Sequence, residues 1–263
     1  MNKAYKFRIM PNSEQQIMFA KTFGCVRFIY NRMLADKIKY YEETKQKLNN
    51  TPAQYKKEFE WLKEVDSLAL ANAQINLQTA YNNFFRSSQI GFPKFKSKKS
   101  NHRSYTTNCV NNNIKLENGY LTLPKIGKVK IKQHRIVPFE YKLKSVTVSQ
   151  TPSGKYYASI LFEYENQVQQ IKPKTFLGLD YSMHELYKDS NGNEACYSQY
   201  YRQAEKKLAK EQRKLSKMQK GSHNRNKQRL KVAKLHEKVA NQRKDFLHKQ
   251  SKQIANAYDC VCI

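Results

Sequence analysis

"KSVTVSQTPSGKYYASILFEYE", Lys144 to Glu165, decides how the middle of this chain folds. Apolar and polar residues alternate on both sides of Ser153-Gly154, which combines the period of a half-buried strand with the composition of a tight turn. The stretch therefore reads as a β-hairpin. Upstream, "NIKLENGYLTLPK", Asn113 to Lys125, repeats the design around Asn118-Gly119. Between the two, "GKVKIKQHRI" adds an alternating strand whose outward face is lysine, and "YKFRI", Tyr5 to Ile9, reads as an early strand ended by Met10-Pro11-Asn12. Short antiparallel strands from Ser104 onward predict a small barrel, which the strand at Tyr5 would help close.

Between the early strand and the barrel the period is 3.6. Ser13 with Gln16 forms a capping-box pattern, and Ile17, Ala20, Phe23, Val26, Ile29, Tyr30, Met33 and Leu34 follow at helical spacing. Gly24 is expected to split this block into a helix-turn-helix. Thr51-Pro52 opens a second helix running through Trp61, and "SLALANAQINLQTAYNNFF", Ser67 to Phe85, puts Leu70, Ala73, Leu77, Ala80, Tyr81 and Phe84 on one side of a third. An N-terminal helical bundle is thus inserted after a single strand.

Downstream, the polar linker "NQVQQIKPK", Asn166 to Lys174, marks a domain boundary. "FLGLD", "HELYKDS" and "NEACYSQY", turning at Asn191-Gly192, predict three antiparallel strands. Arg202 to Lys252 is a basic helical segment broken near Gly221-Ser222. Its second half carries Val232, Leu235, Val239 and Phe246, with Gln242 interrupting, as one arm of a two-helix hairpin. "YDCVCI" reads as a buried strand.

The 263 residues carry 49 Lys and Arg against 21 Asp and Glu, a formal net charge of +28. Such a surface repels itself unless a polyanion neutralises it, which points to nucleic acid. No stretch reaches the ~18 apolar residues of a membrane span, and the N-terminus lacks a signal peptide's apolar core, so a cytoplasmic protein with no membrane partner is expected. Cys25, Cys109, Cys196, Cys260 and Cys262 contain no CxxC pair, so no zinc site is signalled and most are expected to be small core residues.

Three kinds of candidate residue stand out. "GFPKFKSKKSNHRSY", Gly91 to Tyr105, interleaves Phe92, Phe95 and Tyr105 with Lys94, Lys96, Lys98, Lys99 and Arg103: cations for phosphates, rings for stacking. Lys206, Lys207, Lys210, Arg213 and Lys214 open the basic helices with few acids to pair against. Arg27 in the first helical block, and Asn72, Gln74 and Asn76 on the third helix, are further candidates for nucleic-acid contacts. Asp180, at the carboxyl end of an apolar strand, is either a turn residue or one member of a carboxylate cluster. Clusters of that kind hold two Mg²⁺ ions about 3.5–4 Å apart for phosphodiester hydrolysis. His184 and Glu185 read as hairpin residues.

The ordered motifs "YKFRIMPNSEQQ", "FGCVRFIYN", "LKEVDS", "NLQTAYNNFF", "GFPKFKSKKSNHRSYTT", "LPKIGKVK", "SGKYYAS" and "GLDYSMHELYKDSNG" resemble the OrfB/TnpB proteins of bacterial insertion sequences. Those are RNA-guided DNA nucleases related to type V CRISPR effectors. The resemblance spans nearly the whole chain. It implies an α+β fold: an antiparallel, wedge-type β-barrel from residues 1–10 plus 96–170, a helical recognition domain at 11–95, and an incomplete RNase H-like, RuvC-type α/β domain at 171–263. It makes Asp180 the first catalytic aspartate and a Mg²⁺ ligand, and it names a guide-type RNA and DNA as partners. In the family, a strand similar to "YDCVCI" is followed by an acidic pair, a zinc ribbon of four cysteines and a third catalytic aspartate. The present sequence ends at Ile263, so the resemblance implies an incomplete Mg²⁺ site and little or no DNA cleavage by these residues alone, the truncation reflecting a decayed gene, a frameshift or a missing C-terminal fragment supplied in trans. Two other functions fit the residues: a non-catalytic DNA- or RNA-binding regulator, and a structural coiled-coil protein.

Overall fold

The structure is a computed structural model describing residues 1–99, 103–165, 172–182 and 185–263. The chain divides into two units, Met1–Asn166 and Gln167–Ile263. In the first, β1 (Asn2–Met10) is followed by α1 (Ser13–Thr44), α2 (Pro52–Glu58), a 3-10 helix (Glu60–Glu64) and α3 (Ser67–Arg86). Then come β2 (Arg103–Asn108), β3 (Lys115–Glu117), β4 (Tyr120–Leu123), β5 (Gly127–Lys132), β6 (Lys142–Gln150) and β7 (Tyr156–Glu163).

All seven strands share one antiparallel sheet in the order β2-β6-β7-β1-β5-β4-β3, curled into a half-barrel. The expected closure does not occur among the described residues. The ladder ends at β2 on one side and β3 on the other, and β1, expected to close a barrel, lies in the middle, bonded to β7 along Asn2–Ile9 and to β5 along Arg8–Met10. A first strand with two neighbours stitches two meanders into one sheet. Both expected turns form: Asn118 and Gly119 have φ of 50° and 76°, the double left-handed geometry that Asn-Gly accommodates, and Gly154 has φ 86°.

Strand alternation buries Tyr5, Phe7 and Ile9 of β1 with Val129, Ile131, Val146, Val148, Ala158, Ile160 and Phe162 on the concave face. The helices pack there. Phe19 of α1 stacks 5.5 Å from Tyr156, and Phe23 lies 5.8 Å from Tyr105. Asp66 joins the helical insertion to the sheet: its carboxylate caps α3 at the Leu68 amide (3.1 Å) and accepts the buried Thr107 hydroxyl of β2.

Helix boundaries differ from the expectations in three ways. The capping box sits one residue earlier, between Asn12 and Gln15. Gly24 does not split the block: α1 runs unbroken for 32 residues, because Phe19, Phe23, Val26, Ile29, Tyr30, Met33 and Leu34 bury a continuous stripe that outweighs one glycine. The second helix stops at Glu58, and Trp61 lies on the 3-10 turn.

The second unit holds β8 (Phe176–Tyr181), β9 (Tyr187–Asp189), α4 (Tyr200–Lys217), α5 (His223–Ala257) and β10 (Cys260–Cys262), with sheet order β10-β8-β9. Only β9 is antiparallel to β8; β10 is parallel. The strand expected over Asn193–Tyr200 is reduced to an isolated bridge, Lys188 to Glu194. Asp189 explains this by gathering the Asn191 and Asn193 amides at 3.0 and 2.7 Å into a tight turn, after which the chain leaves the sheet. Nor is β10 buried. Among the described residues it pairs with β8 alone, and Val261 and Ile263 are exposed. Its entry is pinned by Asp259, whose carboxylate accepts the Lys174 and Thr175 amides and the Thr175 hydroxyl, bonds that hold its carboxyl below the usual range.

The two-helix hairpin forms as expected. Glu211 of α4, buried, accepts Gln228 Nε2 (2.7 Å) and Lys231 Nζ (3.1 Å) of α5, and Arg225 Nη1 donates to the Leu215 and Met218 carbonyls. Of the cysteines only Cys25 is fully buried; Cys196 and Cys262 are exposed, contrary to the core role expected for most. The linker expected over Asn166–Lys174 falls largely outside the described residues, and His184 lies outside them.

Candidate nucleic-acid interface

The convex face of the sheet carries what strand alternation does not bury. On β1 these side chains are Lys6 and Arg8; on β5 they are Lys128, Lys130 and Lys132, and all five are exposed. Register then sets neighbours that the sequence does not. Arg8 lies directly opposite Lys132 on one side and Tyr157 on the other, and Lys130 opposes Tyr120. Side chains at directly opposed positions stand on the same face about 5 Å apart, so Arg8 and Lys132 are like charges within reach of one another. None of the five makes an ion pair among the described residues; Lys6 Nζ rests 5.0 Å from the Tyr157 ring centre. The result is a cationic, ring-bearing face that destabilises itself until an anion arrives.

A second basic and aromatic surface forms where the segment after α3 returns to α1. Asn31 pins this segment with two hydrogen bonds to the Lys96 backbone, Oδ1 accepting from N (2.8 Å) and Nδ2 donating to O (2.9 Å). Lys96 thereby sets its ammonium 4.0 Å from the Tyr30 ring centre, where burial lowers its pKa. Phe92 packs edge-on against Tyr81 and Phe84 at 5.5 and 5.4 Å. Phe85 and Phe95 stay exposed, as do Lys94, Lys98 and Lys99.

These positions bring Arg27, Asn31 and Phe95 together around one cleft, with the Lys96 backbone bonded to Asn31 and Lys94 preceding Phe95 in the chain. Arg103 sits instead at the edge strand β2, bonded to Gln150 across the ladder (3.0 Å). The three polar residues of α3 are not gathered. Asn72 donates to the Leu68 carbonyl of its own helix, Gln74 donates to the Asn50 carbonyl, and only Asn76 is exposed.

In the second unit Lys206, Lys207, Lys210, Arg213 and Lys214 are all exposed along α4. Their one buried counter-charge, Glu211, is occupied by Lys231 of α5. Asp180 lies near the carboxyl end of β8, opposite Lys188, and is exposed. Glu185 accepts the Tyr197 amide (3.0 Å). Among the described residues no group of three or more His, Cys, Asp or Glu side chains could hold a metal ion. Asp180 offers a single exposed carboxylate, and Mg²⁺ is commonly held by one or two carboxylates together with waters and substrate phosphates. Among the described residues no helix is long and apolar enough to cross a membrane.

A half-barrel sheet with an inserted helical bundle, followed by a small sheet and a basic helical hairpin, is a Cas12f-like fold. A Cas12f1 chain seen by cryo-EM with its sgRNA and target DNA superposes with a TM-score of 0.55 at 10% identity, over 97% of this chain and 78% of that one. Sequence narrows the class. A family model described as "Probable transposase" matches residues 159–263, and one described as "Helix-turn-helix domain" matches residues 1–46, the region of β1 and the unbroken α1. A "Putative RNA-guided DNA endonuclease" of Streptomyces pristinaespiralis is 33% identical across 100% of this chain and 66% of its own length. Its counterpart InsQ of Escherichia coli (strain K12) is 32% identical over 99% of this chain and 65% of its own. The chain belongs to the OrfB/TnpB family and spans about two thirds of the length of these relatives.

Proposed function

We propose that this chain is the nucleic-acid-holding part of an RNA-guided DNA endonuclease, binding a guide-type RNA and DNA in the cytoplasm. In this reading residues 1–10 plus 96–170 act as a wedge domain, 11–95 as a recognition domain, and 171–263 as part of a RuvC-type nuclease domain. The convex face of β1 and β5 and the basic face of α4 hold phosphates, and Asp180 contributes one carboxylate to the nuclease centre. A divalent ion would supply charge neutralisation at the scissile phosphate; no step is assigned to it, because Asp180 is its one candidate ligand among the described residues.

One observation carries the reading. Arg8 and Lys132, like charges on opposed strand positions with no acid to separate them, make sense where a phosphate stands between them. The names of the Streptomyces and Escherichia relatives support an RNA-guided reaction, and the bulk of both units stays within the region they share with this chain. Titration of the purified chain with RNA from its own gene flank, unrelated RNA and duplex DNA across salt is the test. Tighter flank-RNA binding that persists as salt rises supports a guide scaffold. Equal binding of all three, released together, leaves only nonspecific phosphate attraction and refutes it.

A further inference from the structure

Gly24 has no structural reason to be glycine. It sits within α1 with right-handed backbone, and a Cβ added there would meet nothing within 4 Å. Glycine weakens a helix interior relative to alanine, and a side chain no larger than alanine keeps the space beside this position open. What Gly24 leaves open is a cleft of about 410 Å³ between α1 and the segment that ends at Lys96. Arg27, Phe28, Asn31, Arg32 and Phe95 line it.

The walls of this cleft are fixed before any ligand arrives. Phe95 is 57% exposed, yet the next residue is clamped by both Asn31 hydrogen bonds and Pro93 is buried, so an open ring stands on a held backbone. Phe28 is wedged edge-on between Phe59 and Trp61 at 4.8 and 4.9 Å. Arg27, half-buried, has no hydrogen bond or ion pair among the described residues. Lys94 and Lys98 flank the ring on the chain and point to a polyanion rather than an apolar partner.

We propose that the cleft takes a single unpaired nucleobase, stacked on Phe95, with its phosphate on Arg27 and the flanking lysines. The inference rests on the nucleic-acid reading above and goes beyond it. A paired base in a duplex presents only its edge, whereas a ring face can be offered only by a nucleotide outside the stack.

The test uses the full chain and three RNA hairpins of one stem sequence, each closed by a non-nucleotide linker in place of a loop: fully paired, with one unpaired adenosine, and with an abasic residue in its place. The unpaired adenosine should bind about 5- to 150-fold more tightly than the abasic form, the range that stacking of one base on an aromatic ring provides. Gly24→Met, which fills the cleft, and Phe95→Leu should each abolish that preference. Gly24→Ala should keep it, and neither Gly24 variant should melt below the parent. If Gly24→Met melts lower, Phe95→Leu alone decides. Equal binding of bulged and abasic hairpins, with salt-dependent binding of all three intact, overturns the base site and leaves the broader reading standing. Failure to bind any hairpin overturns that broader reading instead.

Discussion

Reversing one charge on the convex face should raise stability and lower nucleic-acid binding together. Lys132→Glu places a carboxylate directly opposite Arg8, on neighbouring antiparallel strands with both side chains exposed. An opposed ion pair on a sheet contributes about 0.2–1 kcal/mol, and a like pair costs a similar amount. The switch spans both effects, but solvent screening at an exposed site holds the gain to roughly 0.5–1 kcal/mol. For a unit of this size that is a rise in Tm of about 1–4 °C. Binding moves the other way, since the variant removes a cation that faces phosphate and adds a repelling charge. The slope of log K against log salt should become shallower by about 0.7–0.9 for each phosphate no longer neutralised. Thermal melting by circular dichroism and filter binding of RNA over a salt series measure the two quantities on one preparation. A variant that melts higher with unchanged affinity and slope would show that no phosphate sits at this position. One that melts lower would refute the pairing argument itself.

Other substitutions test the joints of each unit. Thr107→Val leaves the half of Asp66 that faces β2 without its donor in a buried setting and should cost about 1.5–3 kcal/mol in urea unfolding. A cost near zero would mean that this hydrogen bond is not a staple between helices and sheet. In the hairpin, Gln228 and Lys231 hold the Glu211 carboxyl below its usual range, so its stabilisation is present above the ordinary value of about 4.5 and lost as acid protonates it in the folded state. Glu211→Gln should therefore flatten the acid limb of a helix-content titration, and an unchanged limb would remove Glu211 from its role. Burial pushes the Cys25 thiol up to about 11, so at pH 8 iodoacetamide should label Cys196 and Cys262 quickly and Cys25 only on unfolding, as peptide mass spectrometry would report. Rapid labelling of Cys25 would contradict the packing of α1 on the sheet.

Local signals were legible wherever one short stretch held the whole instruction. Asn118-Gly119, the alternation in "GKVKIK", the Thr51-Pro52 helix start and the Gly221-Ser222 break all formed, because turn geometry, side-chain period and caps act over a few residues. Where two local signals competed, packing decided. Gly24 and its apolar neighbours carried opposite instructions for α1, and the buried stripe won. The strand expected at Asn193–Tyr200 yielded to the turn that Asp189 closes.

By itself the sequence determined that this is a strongly basic α+β chain of the OrfB/TnpB type, with cations and rings interleaved after its third helix, since charge and period are properties of composition and order. Only the tertiary structure decided which cations stand together. Lys6 and Arg8 lie more than a hundred residues from Lys128, Lys130 and Lys132, and they share a face because β1 enters the middle of the sheet with Arg8 in register with Lys132. Likewise Gly24, Arg27 and Phe95 enclose a cleft only once Asn31 ties the returning chain to α1. Register and chain return are long-range pairings, set by which buried faces fit one another, and no single stretch of the chain contains them.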